Sequence, residues 1–114
     1  MLGVKDIRTL CAPVFERYPM VARAFVFGSY ARGQQDEDSD VDICYDRVEK
    51  GSADLPRGLA FFGMHGKLRS ELQRVLELPV DLLTTPDERS SSSRAQQRFA
   101  REVAKEKRVI YERA

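Results

Sequence analysis

The sequence predicts an α/β fold: a small mixed β-sheet with helices packed on one face. Apolar residues recur at three- and four-residue spacing in two long stretches, the sign of helices with one buried side. Between and after them lie short apolar runs that stop at Gly, Pro, Ser or Asp, the sign of strands. The supply of apolar residues fits: 42% of 114 residues are hydrophobic, enough for one sheet-and-helix core. Residues 1–114 read as one domain without an internal repeat.

The elements follow in order. Val4, Ile7, Leu10, Cys11, Val14, Phe15 and Tyr18 line one side of a first helix that ends before Pro19. Residues 21–27 are a first strand, 30–33 a helical turn and 34–39 a polar loop. Residues 40–46 are a second strand. The stretch 47–58 carries Gly51, Ser52, Pro56 and Gly58 and reads as a flexible connection. A second long helix spans 59–78, with Phe61, His65, Leu68, Leu72 and Val75 along one side. Gly63 and Gly66 inside it each cost about 1 kcal/mol against Ala, so they serve close packing or break the helix start. Residues 79–84 are a third strand, with Val80 and Leu82 on one face and Asp81 on the other. The serines 90–93 cap a last helix that carries Ala95, Phe99 and Val103 and runs to about Lys107. Val109-Ile110-Tyr111 form a final short extended segment.

The chemistry is concentrated at 28–42. Gly28-Ser29 end the first strand; after ten intervening residues come Asp40 and Asp42, separated by one residue at the start of the second. Side chains at i and i+2 of a strand share a face, so the two carboxylates lie side by side while Val41 and Ile43 turn into the core. Two like charges so close are costly unless a cation sits between them. Magnesium suits oxygen ligands and is typically shared by carboxylates and substrate phosphates. On the other wall, Gly28 lets backbone approach a ligand. Ser29 caps the following helical turn or gives its hydroxyl to a phosphate oxygen, and free amides at a helix start attract anions. Arg32 binds a phosphate or pairs with one of the acids to order the turn, the second being slightly favoured. A blander reading, a surface loop with a capping serine and a solvated acidic run, leaves unexplained why the acids continue into an apolar strand.

With this spacing the chain resembles the polymerase-beta-type nucleotidyltransferases. The strings Gly-Ser-Tyr-Ala-Arg-Gly at 28–33 and Ser-Asp-Val-Asp-Ile at 39–43 are similar to the smallest branch, the minimal nucleotidyltransferases. These are best known as MntA-type antitoxins paired with HEPN-domain toxins, and the order of elements fits that branch over nearly the whole chain. The resemblance implies a polymerase-beta-like core. It also implies a third acid on a neighbouring strand that completes the metal site and acts as base for the acceptor hydroxyl. Asp81 fits, being a carboxylate inside an apolar strand; Asp46 and Asp54 compete but lie in or beside the loop. The expected site is therefore Asp40, Asp42 and Asp81 as metal ligands and catalytic groups, with Gly28, Ser29 and Arg32 on the nucleotide. Two magnesium ions and ATP are the expected cofactor and substrate.

The resemblance further implies transfer of AMP to a tyrosine of a HEPN toxin, in a hetero-oligomer with that toxin. The small size agrees, since no residues are left for an acceptor domain. A non-catalytic antitoxin acting by binding, and the catalytic subunit of a split small-molecule transferase, are the alternatives.

Other classes fit poorly. Lys and Arg number 19 against 18 Asp and Glu, a net charge of +1, so direct nucleic-acid binding is not expected. No apolar run approaches the ~20 residues of a membrane span, and the N-terminus lacks a signal-peptide core. Two cysteines and one His do not suit zinc. Cys11 and Cys44 read as thiols of a reducing compartment, hence a cytoplasmic protein. His65 is expected at a helix surface or edge, Tyr30 and Tyr45 partly buried rather than stacked on a base, 101–108 a solvated face, and Tyr111 packed on the sheet.

Overall fold

The computed structural model describes residues 2–48 and 57–114. The element order is α1 (Val4–Glu16), β1 (Val21–Phe27), α2 (Gly28–Arg32), β2 (Val41–Arg47), α3 (Leu59–Leu76), β3 (Val80–Thr84), a 3-10 turn (Glu88–Ser90), α4 (Arg94–Glu106) and β4 (Arg108–Glu112). The four strands form one sheet in the order β3-β2-β1-β4. β1 pairs antiparallel with β2 and β4, whereas β3 joins β2 in parallel. A parallel neighbour needs a long crossover, and α3 is that crossover. The Gly- and Pro-bearing connection expected at 49–56, with Asp54, lies outside the described residues.

Strand alternation divides the core. Ala24, Val26, Val41, Ile43, Tyr45, Val80 and Leu82 point to the face covered by α1 and α3, where they meet Ile7, Cys11, Phe15, Leu68 and Leu72. Phe25, Phe27 and Cys44 point the other way and meet Val103 of α4. Phe99 of α4 adds an edge-on ring contact with Phe27 at 6.0 Å. The expectation of helices on one face therefore holds for α1 and α3, and α4 covers part of the opposite face. Asp42 and Asp81, one residue from Val41 and Val80, share the α4 face.

Burial raises the Cys11 thiol to about 12 and the Cys44 thiol to about 11, and both are free. Tyr111 stacks on Phe15 at 5.4 Å. No helix among the described residues is long and apolar enough to cross a membrane.

Local signals end where tertiary contacts take over. Ser93 caps α4 by accepting from the Gln96 amide at 3.1 Å, as the serine run suggests. Gly63 and Gly66 neither break α3 nor allow close packing: a Cβ at either would meet nothing within 4 Å.

His65 fastens α3 to the sheet. The Leu82 carbonyl can only accept, so His65 Nε2 donates to it at 3.1 Å. With the proton on Nε2, Nδ1 accepts from the Tyr45 hydroxyl at 2.6 Å. Tyr45 is fully buried, and burial pushes its hydroxyl up to about 12, so it stays a donor. His65→Ala leaves that donor unsatisfied and should cost about 2–3 kcal/mol of stability, read by urea unfolding. Nucleotide affinity should not change, because this contact lies on the α1/α3 face.

Candidate active site

Three pieces of chain meet at the start of β2. The register of the parallel pair sets Asp42 directly opposite Asp81. Neighbouring strands run about 4.8 Å apart and same-register side chains share a face, so the two carboxylates are lateral neighbours. Asp40 lies just before the first residue of β2 and is exposed, as is Asp81. Gly28 closes the third side. Its φ of 71° is left-handed, and a Cβ there would overlap Asp42 Oδ2 and lie 3.1 Å from Asp42 Cγ. The strand-ending glycine is thus packed on the central carboxylate, a contact only glycine permits.

The electrostatics follow. The Asp42 carboxyl is pushed up to about 6, first by burial, then by Asp81 and Asp40, and also by Glu106, while Arg32 acts in the opposite sense. A partly buried acid among other acids ionises only at a cost, which a bound cation would offset.

A family model described as "Polymerase beta, Nucleotidyltransferase" matches residues 10–114. The chain belongs to the polymerase beta nucleotidyltransferase family. It is 37% identical over 84 residues to the protein of Methanocaldococcus jannaschii named "Putative protein adenylyltransferase MJ0435", covering 73% of this chain and 78% of that one. Its fold is similar to that of a crystallised toxin-antitoxin with AMP-PNP, with a TM-score of 0.63, 23% identity, and coverage of 93% of this chain and 73% of that chain. It is also similar to a structure of tri-AMPylated Shewanella oneidensis HEPN toxin in complex with MNT antitoxin, with a TM-score of 0.51, 20% identity, and coverage of 93% and 73%.

Within this nucleotidyltransferase fold the expected site residues fall as follows. Asp40, Asp42, Asp81 and Gly28 come together. Ser29 does not cap: α2 begins at Gly28, Phe27 holds the cap position, and no side chain caps there. The helix starts earlier than local pattern suggests because Gly28 is seated against Asp42, which leaves Ser29 inside the helix. Arg32 pairs with an acid, but with Glu106 of α4, at 2.9 Å, and not with the aspartates. Asp46 shares the face of Asp42 but lies about 13 Å along the strand, beside Arg23 at 3.7 Å. Tyr30 and Tyr45 are buried and offer no ring to a base.

Glu106 is the residue that sequence reasoning passes over. One signal was available: a carboxylate in the last turn of a helix is disfavoured by the helix dipole, so an acid there has a partner elsewhere.

The donor set suits a hard divalent cation, since the converging side chains offer carboxylate oxygens only. No three acidic, His or Cys side chains among the described residues already form a cage.

Proposed function

We propose that this chain is the antitoxin of a HEPN toxin and neutralises it by metal-dependent transfer of AMP from ATP to a tyrosine hydroxyl. The observation that carries the chemistry is the register placing Asp81 opposite Asp42, with Gly28 packed on Asp42. The partner is argued from the likeness to antitoxins solved with HEPN toxins, one of them AMPylated. We take residues 1–114 as one minimal unit acting in the cytoplasm, where the buried thiols Cys11 and Cys44 stay reduced.

Asp40, Asp42 and Asp81 would hold the magnesium, two ions in this reading, which when bound neutralises the triphosphate and the departing pyrophosphate. The Gly28 amide, the Ser29 hydroxyl and Arg32 hold the β and γ phosphates. Asp81, exposed at the outer strand, takes the proton of the acceptor hydroxyl. The hydroxyl oxygen bonds to the α phosphorus, the bond from that phosphorus to the bridging oxygen breaks, and pyrophosphate leaves.

The test is incubation of the chain with α-labelled ATP, magnesium and a co-purified HEPN partner. Label should appear on a partner tyrosine, and EDTA should prevent it. Label-free partner under all conditions would favour inhibition by binding alone. Asp81→Asn separates the roles of the acids: ATP affinity should stay within about threefold, while transfer falls on the order of a thousandfold with the loss of the base. Transfer at the wild-type rate would place the base elsewhere.

A further inference from the structure

The donors assigned to the phosphates already hold an anion from the chain itself. The Gly28 amide donates to Glu106 Oε1 at 2.9 Å. Arg32 Nη1 donates to Glu106 Oε2, also at 2.9 Å. One carboxylate thus spans a backbone amide and a guanidinium, as two oxygens of a phosphate would. Arg32 is held from the other side by Gln34, whose Oε1 accepts from Arg32 Nε at 3.1 Å, so the guanidinium stays in place when Glu106 leaves.

We propose that Glu106 is a built-in competitor for the nucleotide: its carboxylate closes the Gly28–Arg32 donors, and a triphosphate binds by displacing it. This rests on the reading that Gly28 and Arg32 hold phosphate. Three further facts favour a latch that opens. Glu106 ends α4, where the free carbonyls of the last turn repel a carboxylate. It stands beside an acid-rich site and adds to the repulsion on Asp42. Its side chain is 23% exposed, so it can turn into solvent without disturbing the core. The residues around it are anchored independently, with Val103 buried beneath α4 and the Lys107 ammonium 4.4 Å from the Phe25 ring centre. A side-chain rotation therefore suffices. The consequence is an apparent ATP affinity reduced by the fraction of molecules whose donors are free.

The experiment compares Mg–ATP binding by calorimetry in the wild-type chain, Glu106→Gln and Glu106→Ala. Both variants should bind about tenfold tighter than wild type, since each loses the charge-assisted competitor. A residue that merely supports the site would weaken binding when removed. In the wild-type chain itself, the Glu106 side-chain carboxyl carbon resonance should move as Mg–ATP is added, which needs no variant to fold. Wild-type ATP binding with equal or weaker affinity in the variants and a stationary Glu106 resonance would overturn the latch and leave the nucleotide site standing. No ATP binding by any of the three chains would overturn the nucleotide site and the latch with it.

Discussion

Asp42→Asn should abolish AMP transfer and at the same time make the folded chain more stable at neutral pH. The loss of transfer should be on the order of a thousandfold or more, because the central carboxylate of the metal site is gone. The gain in stability follows from the sign of the Asp42 shift. Its carboxyl sits at about 6, raised by burial and by Asp81 and Asp40. An acid whose folded value lies above its unfolded value of about 4 keeps its proton longer in the folded state. Between about pH 4 and pH 6 the folded chain then binds more protons than the unfolded one, so stability falls as pH rises through that window. Above it the penalty is complete. Because the carboxyl is partly exposed and screened, the penalty is about 1–2 kcal/mol at pH 7. Urea unfolding in EDTA should therefore show Asp42→Asn more stable than wild type at pH 7 and equal to it near pH 4. Magnesium should stabilise the wild-type chain, as any ligand of the folded state does, and should leave the variant unchanged. A variant less stable than wild type at pH 7 would mean that Asp42 is satisfied by partners and not strained by its neighbours.

Gly28→Ala should damage the site more than the fold. The left-handed backbone of Gly28 costs a residue with a side chain about 1–2 kcal/mol. The new methyl also overlaps the Asp42 carboxylate. That carboxylate is the free end of a side chain and turns away, so the fold survives while the metal site loses its central ligand. Unfolding experiments should show a loss of about 1–2 kcal/mol, and calorimetry should show Mg–ATP binding reduced on the order of a hundredfold. Asp42→Ala in the Gly28→Ala background should restore none of the binding. The second substitution should then cost no further affinity, the mark of two changes acting through one group.

The strands and the acids on them were legible because alternation is local. Val41, Asp42 and Ile43 declare their faces from sequence alone, as do Val80, Asp81 and Leu82. The register that sets Asp42 against Asp81 was not legible, since it depends on how α3 returns the chain to the sheet. The placement of α4 was missed for a related reason. Phe99 and Val103 show that the helix has a buried side, yet nothing local says which face of the sheet receives it. Ser29 misled because a serine before a helical turn looks like a cap, whereas contact between Gly28 and Asp42 moves the helix start. Glu106 finds its partners 78 and 74 positions away in the chain, beyond any local pattern.

The carboxylates at the start of β2 and β3 are proposed to support transfer of AMP to a tyrosine of a HEPN partner. Intact-mass and peptide mass spectrometry of that partner, after co-expression with the wild-type chain or with the Asp40→Ala, Asp42→Ala double variant, tests it most directly. AMP adducts are expected on a partner tyrosine with the wild-type chain and none with the variant, together with loss of rescue of the toxin-producing cells. An unmodified toxin in both cultures, with growth fully rescued by the double variant, would contradict it.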